Sequence, residues 1–153
     1  MKYVLPFYAL QKALFATLTG SDIGINWFDA GSTTEEIEGF YKGMNEFSYG
    51  IIAAADADAI GTKDAVSWNS SIDLEIYSSH KGRKQLTQTM EKMLNYICTD
   101  AAWTAMETVL NPLGFSLVSI SVGNLRVNLP IYGDTGIWQS GATTLRFTVK
   151  QKE

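Results

Sequence analysis

The sequence contains few of the residues that build metal and catalytic sites. Its 153 residues include one cysteine, Cys98, and one histidine, His80. A single cysteine excludes an intrachain disulfide framework and a zinc site made of several cysteines, and it fits a reducing compartment. A single histidine excludes metal sites built from several histidines, although it leaves a Ser-His-Asp triad formally possible.

Charged residues are also scarce. They make up 18% of the chain, against roughly 25% in a typical globular protein. Twelve Lys and Arg against sixteen Asp and Glu give a net charge of −4, with no basic block of the kind that follows a phosphate backbone. We therefore expect no direct nucleic-acid ligand. Because 46% of the residues are apolar, the chain is too apolar to be disordered, and its low charge indicates that a partner covers part of its surface.

The chain also lacks a long hydrophobic run. The longest one near the start, Tyr3–Leu10, contains Pro6 and is followed by Gln11 and Lys12. It is much shorter than the ~18 residues that a membrane-spanning helix needs. The sequence therefore predicts a soluble protein with no signal peptide and no membrane partner. The length is that of one ordinary domain, so residues 1–153 are expected to form a single domain.

Apolar residues at helical spacing predict the helices. Leu10, Leu14 and Leu18 form one stripe along the first helix, and Gly20 provides a natural stop. The stripe of the main central helix is formed by Leu86, Met90, Leu94 and Ile97 and is flanked by charged residues, as expected for a helix with one buried face. Because the connection to the preceding strand is short, we expect this stripe to face Ile72, Leu74 and Ile76. The helices predicted from stripes or capping residues are Pro6–Leu18, a short helix from Ser32 through Tyr41, Leu86–Ile97 and Asp100–Leu110, the last with Asp100 as its expected cap.

Alternating apolar and polar residues predict strands with one wet face, most clearly from Val66 to Ile76. The parity of the apolar residues switches at Gly123-Asn124, which fits either a two-residue hairpin turn or a bulge in one long strand. Residues Asp56 to Asp64 are predicted to form a long turn. The predicted strands are Phe47–Ala55, Val66–Ile76, Val118–Leu129 as one or two strands, and Leu145–Lys150.

The order of the predicted helices and strands along the chain predicts the α+β class. The expected architecture is an antiparallel sheet of four strands, or slightly more, packed on two main helices. The order is α-β-β-α-β-β and the arrangement is a two-layer sandwich.

No motif completes a catalytic or metal-binding pattern. Asp56 and Asp58 imitate the first ligands of a calcium-binding loop, but Ile60 and Ser67 stand where the loop needs further oxygen ligands. His80 lies at a strand-to-helix junction without the serine between glycines that a nucleophile elbow requires. We therefore expect no catalytic residues, no metal site and no cofactor.

Two glycine-rich segments carry aromatic residues that the core pattern does not require. They are Ile23–Gly43 and Ile131–Gly141. Aromatic side chains on loops are common anchors of protein interfaces. The expected anchors are two tryptophans on these loops, and the full set of candidate interface residues is Trp27, Phe28, Tyr41, Tyr132 and Trp138.

The run Ser71–Leu86 is an alternating strand followed by Gly82-Arg83 and a helix. This run resembles the central signature of the phage tail completion proteins, also called tail terminators. The resemblance extends along most of the chain in the order and spacing of its elements. The other matching segments are the N-terminal helix around Leu10–Leu14, the strands Phe47–Ala55 and Gly114–Val122, and the terminal strand Leu145–Val149.

The resemblance implies a structural virion protein with no enzymatic activity. Such proteins form a hexameric ring that caps the tail tube and gives the head-side neck its docking surface. The implied partners are other copies of the chain, the tail tube protein and the neck or connector protein. The implied location is the virion, after assembly in the cytoplasm of the bacterial host. Three alternatives stay open: another head–tail joining protein, a monomeric scaffold, and a dimeric α+β barrel that acts as an enzyme or binding domain for a small molecule.

Overall fold

The computed structural model describes residues 2–21, 23–29, 36–37, 48–62, 64–79, 82–133 and 136–152. The predicted α+β class is confirmed by the helices and strands in these ranges. They are α1 (Phe7–Thr19), β1 (Asn26–Asp29), β2 (Ser48–Thr62), β3 (Ala65–Ser78), α2 (Lys84–Ile97), α3 (Asp100–Leu110), a 3₁₀ turn (Asn111–Leu113), β4 (Phe115–Val127), β5 (Ile131–Gly133) and β6 (Gly136–Gln151). Glu36 and Ile37 are helical, within the predicted short helix, whose other residues lie outside the described ranges.

The strands form one mixed sheet in the order β1-β2-β3-β6-β4, and β5 pairs with the beginning of β6. β1 runs parallel to β2, whereas the other neighbours are antiparallel. The prediction of a purely antiparallel sheet of about four strands in α-β-β-α-β-β order is therefore corrected to six strands. β1 and β5 were missed because segments of four and three residues are too short to show an alternating pattern.

The predicted turn over Asp56–Asp64 is wrong, because β2 continues as a strand to Thr62. A bulge between Ile52 and Ala55 shifts the pairing with β3, so the alternation that identifies the first half of β2 changes parity. Beyond the bulge, Asp56 accepts a hydrogen bond from the Ser71 hydroxyl, with 2.7 Å between the two oxygen atoms. Asp56 and Asp58, whose sequence pattern predicts a turn, thus lie on the solvent-exposed face of a strand.

The structure also decides between the two alternatives at Gly123-Asn124. β4 is one continuous strand with a register shift between Val122 and Leu125, so the pair forms a bulge and not a hairpin turn. A Cβ atom at Gly123 would lie 2.9 Å from the Thr144 carbonyl oxygen, which explains why glycine stands there. The bulge keeps Val122 and Leu125 on the same face of the sheet as the buried side chains of β6.

The core lies between the helices and one face of the sheet. α2 lies on β3 and β6, while α1 packs against α3. The predicted pairing of the β3 stripe with the α2 stripe is confirmed, except that Leu94 is only partly buried. Thr99, and not Asp100 as predicted, caps α3, because its side chain accepts a hydrogen bond from the Ala102 amide at 3.2 Å. The buried residues of the two facing stripes are Ile72, Leu74, Ile76, Leu86, Met90, Met93 and Ile97.

Candidate interaction surfaces

An aromatic cluster lies on the face of the sheet opposite the helices. Tyr49 of β2 and Tyr77 of β3 are register partners, and their rings stack with 5.1 Å between centroids. Phe28 of β1 and Trp138 of β6 each contact Tyr49 edge to face, at 6.0 Å. These four residues, from four different strands, are called the aromatic cluster below. Such contacts contribute stability beyond the burial of apolar area.

Within the aromatic cluster, Tyr77 is held in its neutral form. Burial raises the pKa of its phenol well above the ordinary value, and the negative charge of Glu75 raises it further. The phenol donates a hydrogen bond to Glu75 Oε2 at 2.8 Å. This bond needs the protonated phenol, so the hydroxyl acts as a fixed hydrogen-bond donor at neutral pH.

A spectroscopic titration tests this arrangement. In the folded protein, we expect the titration curve to contain one step of tyrosine ionisation that occurs later, at higher pH, than the rest. The Tyr77→Phe variant should lack this late step. The unfolded chain releases the Tyr77 proton near pH 10, whereas the folded chain retains it. The contribution of Tyr77 to stability is therefore complete below about pH 10 and is lost as the pH rises above it. Tyr132→Phe, at an exposed tyrosine, is the matched control, and a late step that survives Tyr77→Phe would contradict the assignment.

The second feature is a set of exposed apolar side chains at the end of β4, in β5 and in the segment between them. Leu125 and Val127 are exposed although they lie on the helix side of the sheet, and Leu129 and Tyr132 are 79% and 77% exposed. Leu125, Val127, Leu129 and Tyr132 are called the apolar strip below. Apolar side chains that are exposed close together in the chain are candidates for contact with other molecules.

The third feature is a cleft of about 400 Å³ between α1 and β1. The buried Trp27 is one wall, and its Nε1 atom has no hydrogen-bond partner. Lys12 reaches over the Tyr8 ring, with 5.9 Å from Nζ to the ring centroid. The lining is mainly apolar, so the cleft suits an apolar side chain better than a charged ligand. The lining residues are Tyr8, Gln11, Lys12, Phe15, Trp27, Phe28 and Asp29.

The remaining part of the open sheet face is polar. Thr144 donates a hydrogen bond to Asp73 at 2.7 Å, and Thr148 donates one to Asn69 at 2.9 Å. Together with the bond from Ser71 to Asp56, these pairs link adjacent strands. Within the described ranges, no group of three or more His, Cys, Asp or Glu side chains could hold a metal ion.

The structure corrects the predicted setting of both tryptophan anchors. Trp27 is not an exposed loop residue, because it lies in β1 and is only 4% exposed. It packs so closely over Gly50 that a Cβ atom there would lie 2.4 Å from its ring. Trp138 is also in a strand, β6, and is partly buried in the aromatic cluster.

The other predicted interface residues have different surroundings. Phe28 joins Trp138 in the aromatic cluster through their shared contact with Tyr49, and Tyr132 is exposed on the apolar strip. Tyr41 lies outside the described residues, as does His80, and Cys98 is exposed. Tyr49 and Tyr77 could not be identified from the sequence pattern, because only the strand register brings them together.

Comparison with known proteins gives no relative from which a role could be transferred. No protein-family model matches the chain, and the search of curated proteins found no match. Within the described ranges, no helix is both long enough and apolar enough to cross a membrane. The basis for a functional proposal is therefore the chain's own surfaces, above all the apolar strip, the α1–β1 cleft and the aromatic cluster.

Proposed function

We propose that the chain is a ring-forming structural protein of a tailed bacteriophage, which caps the tail tube and joins it to the neck, as tail terminators do. The observation that carries this proposal is the apolar strip. Its most exposed members, Leu129 and Tyr132, retain more than three quarters of their accessible surface. Apolar side chains exposed to this extent favour a protein that works in contact with other protein subunits.

The local structure of the run that resembles the tail terminators also supports the proposal. β3 ends at Ser78, Gly82 adopts a left-handed conformation with φ of 77°, and α2 begins at Lys84. This is the strand, Gly-Arg turn and helix that the resemblance implies. A helix precedes this unit and a long strand ends the chain, in the implied order. The proposed partners are accordingly other copies of the chain, which form the ring, together with the tube protein and the neck protein.

Sedimentation with tail tubes tests the proposal. The purified chain is mixed with tubes assembled without a terminator, and we expect it to pellet with them and to stop their further growth. Tubes whose ends already carry a terminator are the matched control and should leave the chain in the supernatant. A folded chain that stays in the supernatant when open tube ends are present would contradict the proposal.

A further inference from the structure

A groove of about 580 Å³ lies beside the end of β4. Its described lining includes Tyr77, Arg126, Asn128, Leu129, Ile131 and Ser140, and it is called the Arg126 groove below. We propose that the Arg126 groove binds the C-terminal residue of a partner polypeptide, through the free carboxylate and an apolar side chain of that residue. This assignment goes beyond the proposed function and does not rest on it, because neither a ring nor a tube end requires this ligand chemistry.

Hydrogen bonds fix the position of the Arg126 side chain in the groove. Its Nε atom donates to Oδ1 of Asn128 at 2.7 Å, and Nδ2 of Asn128 donates to the Ser140 hydroxyl at 3.0 Å. The Asn128 amide also donates to the Ser140 carbonyl oxygen at 2.9 Å. Because Ser140 is only 4% exposed, these bonds connect the guanidinium to a buried point of β6. A side chain that is already held loses less conformational entropy when it binds a ligand.

The outer end of the Arg126 guanidinium suits a carboxylate. Asn128 accepts the Nε hydrogen, so the edge with the two Nη atoms is left for a ligand, and the residue is exposed. Two parallel hydrogen bonds from that edge match the two oxygen atoms of a carboxylate. Among the described residues that line the groove, Arg126 is the only charged one. The groove is therefore complementary to one negative charge.

The acidic residue in the same row of the sheet is engaged elsewhere. Arg126 pairs with Ala142 of β6, and Ala142 pairs with Glu75 of β3. Two strand spacings, roughly 10 Å, thus separate the backbones of Arg126 and Glu75. The Glu75 carboxylate accepts the hydrogen bond from the Tyr77 hydroxyl. Tyr77, which lines the groove, stays neutral and does not repel an anion.

Apolar side chains lie beside the guanidinium in the same groove. Leu129 and Ile131 are 79% and 51% exposed, and both belong to the lining. The side-chain carboxylates of Asp and Glu carry no apolar branch, whereas a C-terminal leucine has its carboxylate and its apolar side chain on the same Cα atom. Such a residue satisfies both parts of the groove, whose volume is within the roughly 300–1,000 Å³ of typical ligand sites. Capture of a terminal carboxylate is a recurring mode of peptide recognition.

Titration of the ¹⁵N-labelled protein with short peptides, followed by NMR, tests the site. The probe is acetyl-Gly-Gly-Leu with a free carboxylate, added to about 10 mM, a range that measures a Kd of roughly 1 mM. We expect saturable shifts of the amide signals of Arg126, Asn128 and Ser140. Two control peptides should bind at least about tenfold more weakly. They are the same peptide with a C-terminal amide, and acetyl-Gly-Glu-Gly-amide, which carries only a side-chain carboxylate.

Variants separate the role of the Arg126 guanidinium from that of general charge. Arg126→Gln should weaken binding of the free acid at least about tenfold. Arg126→Lys keeps the charge without the forked geometry and should weaken binding to a smaller extent. Arg146→Gln is the matched control and should bind like the parent protein, because it removes the same charge outside the lining of the groove. Both arginines are exposed, so these variants should fold.

Equal binding of the free acid and the amide, or undiminished binding by folded Arg126→Gln, would overturn the proposal. Absence of saturable shifts in the parent protein, shifts centred outside the groove, or equal binding of the side-chain carboxylate would also overturn it. The small acid 4-methylpentanoate represents the other source of the same chemistry, and tighter binding of this acid than of the peptide would overturn the assignment to a polypeptide end. Because no tail tubes are present, a failure of the proposed function would leave these results unchanged.

Discussion

Replacing Leu74 with alanine is expected to lower the free energy of unfolding by about 2–5 kcal/mol. Leu74 is fully buried at the centre of β3, where its backbone partners are Ile52 on β2 and Thr143 on β6. Helices cover its face of the sheet, so the surrounding structure has little freedom to close around the missing atoms. The loss therefore includes both the transfer of apolar atoms and the cavity that remains.

Equilibrium denaturation with urea measures this loss. Leu94→Ala is the matched control, because it removes the same atoms from a partly buried site on α2 and should cost less. A loss below about 1 kcal/mol for Leu74→Ala would mean that this face of β3 is not the packed one.

Trp27→Ala is expected to destabilise the subunit by about 3–5 kcal/mol. The indole fills the space that Gly50 leaves open on β2, and it belongs to the same buried cluster as Leu14 and Ile52. Its removal opens a large cavity beneath β1, which has only four residues and one neighbouring strand among the described residues. The protein should therefore unfold at a clearly lower temperature.

Trp138→Ala is the comparison for this prediction. Trp138 is only partly buried and makes an edge contact with Tyr49, so its truncation should destabilise the subunit by less than half as much. Thermal unfolding of the two variants and the parent protein gives the result. If Trp27→Ala unfolded at the same temperature as the parent protein while Trp138→Ala unfolded at a lower temperature, the buried and peripheral roles would be reversed.

The long periodic elements could be predicted from sequence. The stripes of α1 and α2 and the alternation in β3 extend over 13, 14 and 14 residues, so each pattern repeats often enough to identify the element and its buried face. These elements form the centre of the core, which is why the α+β class was predicted correctly.

The elements that were missed depend on interactions outside the local pattern. The bulge after Ile52 changes the parity of β2, so its second half, with Asp56 and Asp58, resembled an acidic turn. β1 is held by its pairing with β2 and by the packing of Trp27 against Gly50, and neither contact is visible in four residues of sequence. A glycine-rich setting then made Trp27 resemble an exposed anchor.

The candidate surfaces could be predicted only in part. Phe28, Tyr132 and Trp138 were selected because they are aromatic residues in glycine-rich segments. Their grouping depends on the strand register, which places Tyr49 beside Tyr77 and brings Phe28 and Trp138 to Tyr49. The exposure of Leu125 is likewise a tertiary property that the alternation of β4 does not reveal.

The proposed function places a ring of this chain on the open end of a tail tube. The most direct test is to measure how many copies sediment with each tube end, using tubes of known number and length. The proposed function predicts one hexameric ring for each open end, independent of tube length, and none on ends that already carry a terminator. Binding in proportion to tube length, or no binding by the folded chain, would contradict it.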